Sequence, residues 1–318
     1  MPHIVATLPE PQRAALAAAY DQAVAARRRQ LVLGLALGLF ALGLAIRGAE
    51  VDPIVFWSKL GNFTSYFDRL LTLDTGARVW TDPADWFWGL HRWLRLLGET
   101  VLIAYVGTLS GTMIAFAACF MASRNLVRSA LLRMTVRRVL ELLRTVPDIV
   151  FAMVFVVAFG LGPLPGVLAL TLHSAGTLGK LFTEVVESID LGPVEGVAAT
   201  GGGWLSRVRF GALPQVLSSF ASYTLLRLEI NVRGATVIGF VGAGGIGEDL
   251  LIAIRKFYYQ DVSAMLVLIV ACVMLLDMAS ERLRHRLLAL ETTRCASCAP
   301  DSSPMPAPCR RHHARITP

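Results

Sequence analysis

Apolar residues in this chain are gathered into long runs separated by short polar stretches. The runs are Gln30–Ile46, Thr100–Met121, Leu142–Phe159, Pro165–Val185, Gln215–Ile230 and Val262–Met278. A bilayer needs about 20 apolar residues in a helix, so the pattern predicts an all-α, polytopic membrane protein with about six transmembrane helices. The first run is short and nears that length only if continued to Ala49. Before it, Pro11 opens a stretch with Leu16, Tyr20 and Val24 at helical spacing, which predicts a helix over Pro9–Arg29 on the cytoplasmic side. Arg27–Arg29 ahead of Leu31–Ile46 has the look of a secretory leader. The preceding region is too long, and Arg47 sits where cleavage at Ala49 needs a small residue, so the run reads as an uncleaved span.

Composition agrees. Of 318 residues, 55% are hydrophobic and 17% charged, which excludes an ordinary soluble domain. The net charge of +7 lies largely in arginines beside the runs, which argues for topology and against nucleic-acid binding. With six alternating spans, Arg27–Arg29, Arg124–Arg138, Arg207 and Arg209, and Arg282–Arg286 fall on one side. The positive-inside rule makes it cytoplasmic, with both termini there, against only Arg255 and Lys256.

Glu50–Leu96 is the longest polar region and holds Trp57, Trp80, Trp86, Trp88 and Trp93, which reads as an interfacial aromatic belt; a surface for an extracytoplasmic binding protein is the functional alternative. Cys119 and Cys272 fall in apolar runs and read as small hydrophobes. Residues 291–318 turn to Pro, Ser, Cys and His and read as a disordered tail. Cys295, Cys298, Cys309 and His312-His313 match no usual zinc spacing, so no metal site is expected.

Glu195–Pro214 is a polar, glycine-bearing island between two apolar runs. Gly201–Gly203 break a helix, so two short helical pieces are expected to meet at an elbow there. Pro214 suits the first turn of the next helix. Trp204 and Leu205 can enter a partner's groove, with Arg207 and Arg209 on its rim; the plainer reading is an interfacial loop with a headgroup-level Trp.

Gly242-Ala-Gly244-Gly245-Ile-Gly247 satisfies the dinucleotide fingerprint, but it lies between two spans and no βαβ repeat surrounds it. In a bilayer such glycines permit non-helical backbone and close helix approach beside a cavity. Glu229 and Arg233 stand four apart, as a helical ion pair would. Two readings stay open: a structural pair, or Arg233 and Asn231 offering donors, with the glycine amides, to a passing oxyanion. Pro147-Asp148 marks a kink or the true start of its helix. His173 reads as a packed hydrogen-bond donor.

Three motifs carry a resemblance. Glu195, Gly201 and Leu213-Pro214 have the spacing of the cytoplasmic loop of bacterial ABC importer permeases. Gly196, Val197 and Gly211 depart from its usual form and are similar to the variant in phosphonate-import permeases. Asn231-x-Arg233 ahead of Val241-Gly-Ala-Gly-Gly-Ile-Gly247 resembles a hallmark of those permeases, and Arg144-Thr-x-Pro147 a further step. The resemblance covers about Glu99–Leu287. It implies a type I ABC importer permease fold in the bacterial inner membrane, with a transmembrane domain over 30–290 and the coupling loop at 195–214. It also implies an ATP-binding cassette subunit docked on Glu195, Gly201, Trp204, Leu213 and Pro214, an extracytoplasmic substrate-binding protein, and a second copy of the chain. Glu229, Asn231, Arg233, Gly242, Gly244, Gly245 and Gly247 are the translocation-path candidates. No cofactor and no catalytic residue are implied: the chain carries no phosphate loop, so ATP hydrolysis falls to a partner. The implied cargo is a phosphonate or related phosphorus oxyanion. Phosphite, phosphate or another solute such as methionine is the alternative, and a secondary transporter or an intramembrane enzyme are the rivals from other classes.

Overall fold

The computed structural model describes residues 9–49, 52–73 and 76–297. Among these residues it is all-helical, with one isolated bridge between Thr72 and Arg78. Two compact units divide after Asp68.

The first unit holds α1 (Glu10–Gly48) and nearly all of α2 (Pro53–Leu70). The expected surface helix and first span are one 39-residue helix. Neither Gly nor Pro interrupts Arg27–Arg29, and Ala, Leu, Arg and Gln all favour the helix there. Ala18–Gly48 is long and apolar enough to cross a membrane. α2 replaces part of the expected polar loop. Asp52 accepts a hydrogen bond from Ile54 N–H at 2.9 Å, and Ile54, Trp57, Phe63 and Phe67 stand exposed along the helix.

The second unit is a helical bundle: α3 (Leu90–Ala122), α4 (Ala130–Thr145), α5 (Asp148–Phe159), α6 (Pro163–Glu187), α7 (Gly192–Ala199), α8 (Leu213–Ile238), α9 (Ile246–Arg255) and α10 (Tyr259–Ser297). At its centre, α6 packs on α3, α4, α5 and α8 and seals Leu170, Leu178, Phe182 and Val186. The Phe182 ring stacks on Phe220 of α8 with centroids 3.9 Å apart. Close approach of α3 to α6 depends on Gly107 and Gly111, where a Cβ would come within 2.7 Å of Leu170 and 2.8 Å of Ser174.

Three of the expected boundaries move. The run Leu142–Phe159 is broken: α4 and α5 meet at 87°. Pro147 lacks an amide and holds Val146 in extended backbone (ψ 124), so α5 begins at Asp148 with 12 residues. α8 and α10 extend well beyond their apolar runs. α1, α3 and the start of α10 are long and apolar enough to span alone, and the number reaches five if each of two bent pairs is one span. The fourth expected span, Pro165–Val185, lies in α6, which has 25 residues but is not apolar enough to count: it is largely buried in the bundle and carries Thr171, His173, Ser174, Thr177 and Thr183. α10 runs to Ser297, into the expected tail; Cys298, Cys309, His312 and His313 lie outside the described residues.

The tryptophans divide by burial. Trp57, Trp80 and Trp88 are exposed, but Trp93 is buried. Trp86 donates its indole N–H to Ser263 Oγ at 3.0 Å, and Trp88 donates to Asp261 Oδ1 at 2.8 Å. These bonds tie the stretch before α3 to the first turns of α10.

Candidate functional site

The 195–214 island forms the expected elbow. α7 ends at Ala199, Gly201 turns the chain at φ +81, and a single turn over Trp204–Ser206 leads into a π-helical segment, Arg207–Ala212. α8 then starts at Leu213, with Pro214 in its first turn, where a missing amide costs nothing. Gly211, one of the departures from the usual motif, has a local cause: a Cβ there would come within 2.9 Å of Val194 Cα. Gln215 locks the elbow to the end of α6, donating to Asp190 O at 3.1 Å and Gly211 O at 2.7 Å while accepting from Asp190 N–H. Glu195 is exposed in the first half of α7. Outside that frame Leu205 is 70% and Phe210 64% exposed, and Leu191 and Trp204 are exposed to a lesser degree. The arrangement is an apolar knob rimmed by Arg209, which lies over the Phe210 ring. The π segment was not legible in the sequence; such segments recur at functional sites.

The glycine run is a buried hairpin between α8 and α9. Gly242, Gly244 and Gly245 all take positive φ, which L side chains avoid. Gly247 sits against Thr236 O with no room for a Cβ. Thr100 Oγ1 accepts from Ile246 N–H at 2.9 Å, capping α9, and Gly162 N–H donates to Gly242 O at 3.0 Å. The hairpin is thereby pinned to α3 and to the start of α6. No βαβ unit surrounds it among the described residues, and no His, Cys, Asp and Glu group there has metal-binding geometry.

The charged candidates separate into two sets on α8. Arg233 reaches Glu229 Oε1 at 2.7 Å and Asp277 Oδ2 of α10 at 2.9 Å, so the expected pair is a triad. Asp277 was missed because it lies 44 residues away and no local pattern marks it. Asn231 is 1% exposed and gives its amide hydrogens to Thr108 Oγ1 of α3 and Ser174 Oγ of α6, both at 2.8 Å. Next to it, and also missed, is Arg227. It is 7% exposed and donates from Nε to Ser174 Oγ at 3.2 Å. His173 donates from Nδ1 to Val146 O at 3.0 Å, satisfying a carbonyl freed by the break before Pro147. Asp148 packs its carboxylate toward Gly234 of α8. A charge at bilayer centre costs about 3 kcal/mol on insertion scales, so a polar cluster at mid-helix marks a place where water, protein or solute meets it.

Residues 114–288 match the family described as binding-protein-dependent transport system inner membrane component. The chain is 38% identical over 269 residues to the phosphite transport system permease protein PtxC of Stutzerimonas stutzeri, covering 83% of this chain and 97% of that one. It is 52% identical over 121 residues to the putative cryptic phosphonate transport system permease protein PhnE2 of Escherichia coli (strain K12), covering 38% of this chain and 99% of that one. A solved structure of the MetNI methionine ABC transporter superposes with a TM-score of 0.54 at 23% identity, over 65% of this chain and 98% of that chain, a likeness of fold. The chain therefore belongs to the binding-protein-dependent transport system inner membrane components: it is a multi-pass, non-catalytic permease subunit of an inner-membrane ABC importer, of type I fold, that works with an ATP-hydrolysing subunit and a substrate-binding protein.

Proposed function

We propose that the cargo is a phosphonate or a closely related phosphorus oxyanion, and that two copies of the chain enclose its path. The observation that carries the cargo is the likeness over nearly the whole length of a permease named for phosphite transport, together with the high identity to one named for phosphonate. Phosphite is the second reading, and the longer of those two matches favours it.

In this reading the ATP-binding subunit docks on Glu195, Gly201, Trp204, Leu213 and Pro214, and the exposed Leu205 and Phe210 support that surface. Both termini are cytoplasmic. Closure of the ATPase pair moves the elbow, and the Gln215 lock passes the movement to α6 and α8. The hairpin of Gly242, Gly244, Gly245 and Gly247 borders the path, with Glu229, Asn231 and Arg233 holding α8 against its neighbours. Uptake into proteoliposomes carrying the permease, its ATPase and its binding protein tests this. ATP-dependent uptake of methylphosphonate or phosphite is expected; uptake without ATPase, or of neither compound, overturns it. Labelling of a cysteine placed at Leu205 from the outer face overturns the orientation.

A further inference from the structure

Among the described residues Arg227 is a buried cation with no carboxylate paired to it. It stands 14 residues into the 26-residue α8, about 21 Å along a helix of about 39 Å, at mid-helix. Ser174 stands at a similar level in the middle of α6. Among the described residues no carboxylate lies within ion-pair distance of Arg227, in contrast to Arg233, which has two. Its one hydrogen bond is Nε–H to Ser174 Oγ. Both Nη groups are unpartnered, yet neither is among the sealed orphan atoms, so they reach accessible space although the residue is more than nine-tenths buried. A guanidinium fork with open donors is suited to two oxygens of a tetrahedral anion. Lipid in that space would leave the charge unsolvated; an aqueous path would not.

We propose that the Arg227 Nη groups form an anion-contacting station within the translocation path, selective for small tetrahedral oxyanions. Ser174 is its positioning residue: Ser174 Oγ also accepts from Asn231, which Thr108 anchors to α3, so the Nε end of the fork is held by three helices. Asp148 lies on the same side of α8. Its carboxylate packs at Gly234, seven residues and so nearly two full turns from Arg227 on one face, an opposite charge beyond ion-pair reach of the guanidinium. A dianion outcompetes it by charge and by bidentate fit. The identity of the cargo rests on the importer reading above; the anion station does not.

The test uses the assembled complex. Uptake of methylphosphonate, phosphite, inorganic phosphate and sulfate is compared for wild type, R227M and R227K, beside complex yield and basal ATP hydrolysis. In parallel R227C, in a chain whose native cysteines are replaced, is exposed to a charged, water-soluble thiol reagent. Uptake by R227M about tenfold or more below wild type is expected, as for loss of a charged hydrogen bond, with R227K intermediate and R227C reactive. Where R227M does not assemble, S174A carries the test: it raises KM for the oxyanion about threefold at unchanged maximal rate, the mark of a loosened fork. R227M uptake within twofold of wild type, an unreactive R227C, an unchanged S174A KM, or a wild type that carries only uncharged solutes overturns the station. A wild type that carries sulfate but no phosphorus compound, with R227M still collapsing, keeps the station and removes the phosphonate reading.

Discussion

Arg233 of α8 lies 2.9 Å from Asp277 of α10 while it holds Glu229, one turn below, at 2.7 Å. One cation thus serves two carboxylates, and Asp277 Oδ1 is buried without a partner. The side chains are 51%, 37% and 18% exposed for Arg233, Asp277 and Glu229, so each pairing alone is worth about 1 kcal/mol or less in water. Removal of the shared cation is worse than removal of either anion, since it leaves two like charges together. R233A is therefore expected to lower the melting temperature of the purified complex more than D277N, which keeps an acceptor for the guanidinium and removes one negative charge. Equal losses from the two variants would show that the triad is not shared in this way.

The hairpin predicts an ordered series at its glycines. At Gly247 a methyl group meets Thr236 O, and at Gly245 it combines positive φ (+78) with contact on Thr100 Oγ1, the cap of α9. Strain and clash together cost about 3 kcal/mol or more. G245A and G247A are expected to lower the yield of folded permease sharply. Gly203 has φ −68 and nothing within 4 Å of its Cβ position, so G203A is expected to fold with unchanged or slightly higher stability. Detergent-extracted yield and thermal unfolding read both.

How much of this was legible in the sequence follows from which interactions are local. The elbow at Gly201–Gly203, the helix start at Pro214 and the i,i+4 pair Glu229–Arg233 depend on neighbours along the chain, and their residue types announce them. The break before Pro147 was legible as a kink, but its 87° size was not, because α4 turns away to pack Leu140 on α6. Asp277, Ser174 and Thr108 were illegible as partners, since each reaches its contact from another helix 44 to 123 residues distant. Arg227 was overlooked among neighbours that include Glu229 and Arg233, because a run of charges carries no record of which one is turned inward. α6 shows the same limit from the other side: its polar residues make sense only once the bundle surrounds it.

The Trp86–Ser263 and Trp88–Asp261 bonds predict a graded effect at the junction of the pre-α3 stretch with α10. Trp86 is partly buried, and its bond to Ser263 lies inside the packed contact, whereas Trp88 is 64% exposed. Loss of an intramolecular hydrogen bond that leaves its partner buried costs about 1–3 kcal/mol, and loss of an exposed one less. S263A is expected to destabilise the complex by more than D261A, and differential scanning calorimetry or a fluorescence melt that follows the tryptophans separates them. The reverse order would mean that Trp88, not Trp86, holds the junction.

The elbow separates packing from docking, because its glycine and its apolar knob occupy opposite sides of the same segment. Gly211 faces inward on Val194, where a Cβ would approach the backbone to 2.9 Å, so G211I places the residue usual in the general motif at a position this loop cannot fit. It is expected to displace α7 from the π segment, with overpacking worth about 1–3 kcal/mol, and to lower thermal stability and ATPase binding together. Leu205 faces outward at 70% exposure and touches no core cluster, so L205A is expected to leave the melting temperature within a degree or so of wild type. If the ATPase grips this knob, L205A weakens its co-purification at least severalfold and lowers ATP hydrolysis stimulated by the loaded binding protein, as an interface anchor does. L205A that binds the ATPase as wild type does, while G211I loses it, would move the docking surface from the knob to α7 and the exposed Glu195.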